Sequence, residues 1–116
     1  MVHKPEGEHL ITTFKLCDKE VLNDEERLKE ILTKACILAN CKVLKVVSHK
    51  FKPQGVTAMV LLEESHITIH TYPECKTAFV DIFTCGPNAL PRKAMQYIDK
   101  HIDSKFMDIY RSIWRE

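Results

Sequence analysis

Glycine is scarce in this chain, with three in 116 residues, and there is no repeat, low-complexity stretch or internal Gly/Ser-rich linker. A chain of this length without linkers reads as one domain over residues 1–116, large enough for a single core. Charge of one sign is also missing. Seventeen Lys and Arg stand against 16 Asp and Glu, which excludes the one-sided basic field that nucleic-acid binding uses. No apolar run approaches the roughly 20 residues of a membrane span. The opening Met1-Val2-His3-Lys4-Pro5-Glu6 has no apolar h-region of a signal peptide. A cytoplasmic protein with no nucleic-acid or membrane partner is expected.

Paired cysteines are absent too. Cys17, Cys36, Cys41, Cys75 and Cys85 are five in number, irregularly spaced and without a C-x-x-C pair, so neither a disulfide framework nor a cysteine zinc site is indicated. In a reducing compartment such residues serve mostly as small buried hydrophobes.

What is present alternates. His9 to Phe14 reads as a strand that ends in the polar Cys17-Asp18-Lys19-Glu20 turn. A helix follows, with Asn23 or Asp24 as N-cap and acids in its first turn. Leu28, Ile31, Leu32, Ala35, Ile37, Leu38 and Ala39 supply its apolar face. Four strand-like runs come next, Lys42 to Phe51, Val56 to Glu63, Ile67 to Tyr72 and Thr77 to Cys85. They are punctuated by the turn signals Pro53-Gln54-Gly55, Pro73-Glu74 and Gly86-Pro87-Asn88. Pro91 opens a second helix through Ala94, Met95, Tyr97 and Ile98, and a strand near Phe106 to Ile113 closes the chain. The order β-α-β-β-β-β-α-β predicts an α+β, two-layer sandwich with two helices on one face of an antiparallel sheet. Phe79 and Phe83 alternate with Val80 and Ile82, so the sheet is apolar on both faces. A homodimer packed through the second face is the simplest cover for it.

The densest polar constellation is Glu63-Glu64-Ser65-His66-Ile67-Thr68-Ile69-His70-Thr71-Tyr72-Pro73-Glu74. By pattern alone it is a half-exposed strand with polar residues toward water. The i, i+4 spacing of His66 and His70 serves metal sites on helices; on a strand it sets the rings two pleats apart, so no metal is expected.

The same stretch, from Leu62 to Glu74, resembles the processing-site signature of the short prokaryotic S-adenosylmethionine decarboxylases. Asp81-Ile82-Phe83-Thr84-Cys85-Gly86 resembles their second signature at the matching distance. Weaker similarity runs from Gly7-Glu8-His9-Leu10 through Phe51-x-Pro53-x-Gly55 to the second helix. The resemblance implies self-cleavage between Glu64 and Ser65 into chains 1–64 and 65–116. By this resemblance the Ser65 hydroxyl would attack the Glu64 carbonyl and convert the amide to an ester, with Thr57 assigned to stabilise the oxyanion and His70 to remove the Ser65 α-proton. The ester is then eliminated, and the dehydroalanine left behind hydrolyses to a pyruvoyl group. That group would form a Schiff base with a substrate amine and accept the electrons released with carbon dioxide; Cys85 is implied as the proton donor.

The resemblance further assigns Phe51 to stacking on adenine and Glu74 to the ribose hydroxyls. It implies S-adenosylmethionine as substrate, for supply of the aminopropyl donor of spermidine synthesis, no dependence on putrescine, and a homodimer of processed protomers. Relatives often carry an acid where Thr13 stands and an aromatic where Lys15 stands. These departures keep a basic amino acid, arginine or ornithine, open as alternative substrate on the same scaffold. An unprocessed, non-catalytic homologue that binds a ligand or activates a partner is the reading from another class. Ser65 and His70 are five positions apart, which on a straight strand aims them at opposite faces. The processing reading therefore requires the backbone to bend at Glu64–Ser65, where two strands meet without Gly or Pro.

Overall fold

A computed structural model describes residues 4–63 and 65–116. The elements are β1 (Gly7–Lys15), α1 (Lys19–Leu22), α2 (Glu25–Leu38), β2 (Val43–Lys50), β3 (Val56–Leu62), β4 (Ser65–Tyr72), β5 (Thr77–Cys85), α3 (Pro91–His101) and β6 (Phe106–Arg115). All pairings between strands are antiparallel, in the order β2-β3-β4-β5-β1-β6. The α+β class and the helices on one side of the sheet agree with the sequence expectation. The one-turn α1 does not: the stretch read as a polar turn is capped at Asp18, whose carboxylate accepts the N–H groups of Glu20 and Val21. Asp24, rather than Asn23, caps α2 by accepting from Arg27 N–H.

Alternation decides which residues enter the core. Leu10, Thr12 and Phe14 of β1, Val56, Ala58, Val60 and Leu62 of β3, Ile67 and Ile69 of β4, and Ala78, Val80 and Ile82 of β5 all turn to the helices. Leu28, Ile31, Leu32, Ala35 and Cys36 of α2 meet them, together with Ala94, Met95 and Ile98 of α3. The α2 stripe thus follows i, i+3, i+4, i+7, i+8. Ile37 and Leu38, expected in that stripe, fall outside its arc and are exposed.

The other face of the sheet carries no helix. It exposes Phe79 at 45 %, Met59 at 39 % and Leu61 at 47 %, which is the second apolar face read from the alternation of β5. Cys17 and Cys36 are buried, and burial pushes their thiols up to about 11 and about 12 respectively. Both are inert at neutral pH. Cys75 departs from the expected burial and is exposed in the 3-10 turn Pro73–Cys75. Among the described residues no helix is long and apolar enough to cross a membrane.

One buried hydroxyl ties the layers together. Thr71 donates to the carbonyl of Leu22 at 2.7 Å and accepts the Val56 N–H at 2.9 Å. Replacing it with Val keeps the shape and orphans both backbone groups. A loss of about 1–3 kcal/mol is expected, read as a lower thermal midpoint, with Thr71→Ser nearer wild type.

Candidate functional site

Two groups of predicted residues come together, at opposite ends of β4. At its start Ser65 is buried, 7 % exposed, and pairs with Leu62 across β3. Its Oγ accepts the backbone N–H of Cys85 at 3.0 Å. Cys85 is the last residue of β5 and pairs with Gly7. A side chain at position 7 would lie 2.3 Å from the Thr84 carbonyl oxygen; only glycine permits β1 to approach this strand end so closely. A cavity of about 670 Å³ opens beside Ser65, between Leu44, Met59, Leu61 and Phe83. Glu64, the other half of the proposed scissile bond, lies outside the described residues, as does the bend expected there.

Toward the other end of β4, His70 pairs with Thr57, and the Thr57 hydroxyl and His70 Nδ1 are hydrogen-bonded at 3.0 Å. Phe51, Glu74 and Tyr72 join them around a cleft of about 290 Å³. The turn that carries Phe51 is shaped by Gly55 at φ 106°, whose N–H donates to Asn23 Oδ1. Thus the residues assigned to the oxyanion, the base, the adenine and the ribose share one end of the sheet. Ser65 and Cys85 occupy the other.

The separation is a matter of pleat and length. Ser65 lies in the odd-numbered row of β4 with buried Ile67, Ile69 and Thr71, whereas His70 is exposed with Tyr72. Five residues of strand span about 17 Å. The regular β4 that starts at Ser65 therefore keeps His70 away from the Ser65 of its own chain, and the within-chain reading of the base is not supported.

His70 belongs to a row that crosses the whole sheet on the helix-free face: His49, Thr57, His70, Phe79, Thr13 and Asp108 in register. Thr13 and Lys15, the departures from the family pattern, are on this face, and Lys15 Nζ is 3.4 Å from an Asp108 carboxylate oxygen.

Sequence reasoning missed a further cluster. His9 of β1 and His66 of β4 flank Phe83 of β5 in register, and Asp81 lies two residues along. Asp81 Oδ2 is 2.8 Å from His9 Nε2 and 3.2 Å from His66 Nε2, and the Thr68 hydroxyl donates to Oδ1. Burial pushes this carboxyl up, but the hydrogen bonds from His66, Thr68 and His9 outweigh it and hold it well below the usual carboxylate range. Residues 72 positions apart leave no local signal; only the insertion of β1 beside β5 unites them.

The chain matches the family model described as S-adenosylmethionine decarboxylase over residues 8–115. It is 44 % identical over 101 residues to the S-adenosylmethionine decarboxylase proenzyme of Caldicellulosiruptor saccharolyticus, covering 87 % of this chain and 82 % of that protein. The proenzyme of the same name from Clostridium kluyveri is 37 % identical over 113 residues, covering 95 % and 90 %. The crystal structure of the adenosylmethionine decarboxylase from Aquifex aeolicus superposes with a TM-score of 0.87 at 32 % identity, over 96 % of this chain and 91 % of that one. With fold, motifs and relatives in agreement over nearly its whole length, the chain belongs to the S-adenosylmethionine decarboxylase family.

Proposed function

We propose that this chain is a self-processing decarboxylase of S-adenosylmethionine whose working form is a homodimer with two composite sites. The observation that carries the reading is the Ser65 hydroxyl, buried at the first residue of β4 and held by the Cys85 N–H. A buried hydroxyl held at this position supports attack on the carbonyl of the preceding residue, Glu64, as the first step. The C–N bond breaks as the ester forms, the Ser65 amine is freed, and loss of the α-proton and of the Glu64 carboxylate follows. Hydrolysis releases ammonia and leaves the pyruvoyl group on residue 65. That group supplies an electron sink for decarboxylation.

Thr57 and His70 are the oxyanion donor and base of this reaction, acting on the Ser65 of a second copy. A two-fold axis through the helix-free face brings the Thr57–His70 end of one protomer against the Ser65–Cys85 end of its partner, twice by symmetry. The exposed Phe79, Met59 and Leu61 give that face the apolar character of an obligate interface. The same arrangement lets Phe51 and Glu74 of one chain hold the adenine and ribose of a substrate while residue 65 of the other acts on its amino-acid end. Cys85, adjoining residue 65, returns a proton to the α-carbon after carbon dioxide leaves. Supply of the aminopropyl donor for spermidine synthesis follows from this activity. The balanced charge and the absence of disulfides among the described cysteines favour the cytoplasm as its place.

The relatives named above favour S-adenosylmethionine over arginine or ornithine. Trapped carbon dioxide from each of the three substrates tests this. Release from S-adenosylmethionine alone, abolished by a hydrazine that blocks carbonyl groups, is expected; turnover of ornithine or arginine alone would overturn the substrate. Phe51→Ala and Glu74→Gln are each expected to raise KM by about tenfold or more, the loss of one stacking or hydrogen-bonding contact worth roughly 1.4 kcal/mol or above. Cleavage of the chain stays complete in both.

A further inference from the structure

His9, His66 and Asp81 have no assigned part in the reaction above, yet three strands deliver them to one point. Their donor atoms, the two Nε2 and Asp81 Oδ2, all lie within 4.8 Å of one another. A tetrahedral ion with bonds of about 2.0–2.2 Å holds its ligands roughly 3.3 Å apart, close to the 2.8 and 3.2 Å observed to Asp81. The Thr68 hydroxyl on Oδ1 fixes the carboxylate in the way outer partners orient metal-binding groups. Phe83 packs beside both rings, with centroids 5.5 Å from His9 and 6.1 Å from His66, and the two imidazoles meet edge-on at 5.9 Å. The set of two imidazoles and one carboxylate carries one negative charge with neutral rings, and all three side chains keep some access to solvent, at 17 %, 35 % and 31 %.

We propose that His9, His66 and Asp81 bind one divalent first-row ion of the zinc type, with a fourth position left for water in the cavity that His66 and Asp81 line beside Ser65. Imidazole and carboxylate together suit zinc, cobalt or nickel and not the hard cations. Entry of the ion asks each ring to present an unprotonated Nε2, with its proton on Nδ1. The ion cross-links β1, β4 and β5 beside the first residue of β4. Its role is to hold that end of the sheet together, so its binding is independent of whether residue 65 matures.

Cobalt(II) is the probe, added to chelator-treated full-length protein, both wild type and the Ser65→Ala chain. One equivalent is expected to bind, with visible absorption from the metal alone and no thiolate charge-transfer band, and zinc is expected to displace it. In excess metal the thermal midpoint rises by about 4 °C or more, because the ion binds the folded state only. His9→Gln and Asp81→Asn each weaken binding at least tenfold, since loss of even an outer partner of a metal ligand costs about 10–100-fold, and His101→Gln does not. Circular dichroism of His9→Gln and of Asp81→Asn guards against loss of fold in either variant. A hydrogen-bonded cluster without metal affinity would show no uptake at cobalt on the order of 0.1 mM, and that overturns the proposal. So does uptake that persists in His9→Gln or that carries a thiolate band, which would place the ion on the cysteines.

Discussion

Ser65→Ala is expected to yield a folded, full-length chain with no decarboxylase activity. The substitution removes the atom that would attack the Glu64 carbonyl, so no ester forms and no carbonyl cofactor arises. Its structural cost is small. The lost acceptor serves one N–H, that of Cys85, worth about 1 kcal/mol, against a core built from all six strands but β2 and β6, and both long helices. Circular dichroism and gel filtration should match wild type while a denaturing gel shows one band instead of two. Activity near wild type in this variant would end the reading of residue 65 as cofactor precursor. His70→Ala differs in kind. It leaves the attack possible and removes the base, so the chain is expected to stall at the ester, which hydroxylamine cleaves.

The second large effect concerns which chain supplies the base. Neither Ser65→Ala nor His70→Ala homodimers should mature or turn over substrate. A mixed dimer has one site with both lesions and one with none. When the two are co-expressed in equal amounts, half the dimers are mixed and about a quarter of all sites are intact. Activity should therefore return to about 25 % of wild type, and only the His70→Ala chain should be cleaved. A base acting within its own chain gives no recovery, because every chain lacks one of the two residues. The assay thus separates the composite arrangement from a locally bent single-chain one.

Much of this site was legible in the sequence because strand period is two and registers propagate. The opposite facing of Ser65 and His70 follows from their five-residue spacing, and β4 keeps that spacing as a regular strand. The doubled apolar character of β5, with Val80 and Ile82 inward and Phe79 outward, follows from the same alternation. Phe51 and Glu74 flank the β3–β4 pairing in sequence, and antiparallel register gathers them at one end with Thr57 and His70.

What escaped was whatever depends on sheet order. Placing β1 between β5 and β6 is a long-range choice with no local signature, and it creates the His9–His66–Asp81 cluster. The shift of register between Thr12 and Thr13 against β6, with Ile109 at φ 50°, is equally invisible in a run that reads as plain strand. It brings Asp108 into the Thr13 row. The one-turn α1 escaped because four residues carry no periodicity, and its cap at Asp18 is as ordinary in turns as in helices.

The central claim, that the chain makes its cofactor by breaking its own backbone, is tested most directly by an intact-mass spectrum of the purified wild-type protein. Self-cleavage predicts two chains, residues 1–64 and residues 65–116, the second beginning with a pyruvoyl group instead of serine. A single mass near 13.5 kDa after prolonged incubation would contradict it.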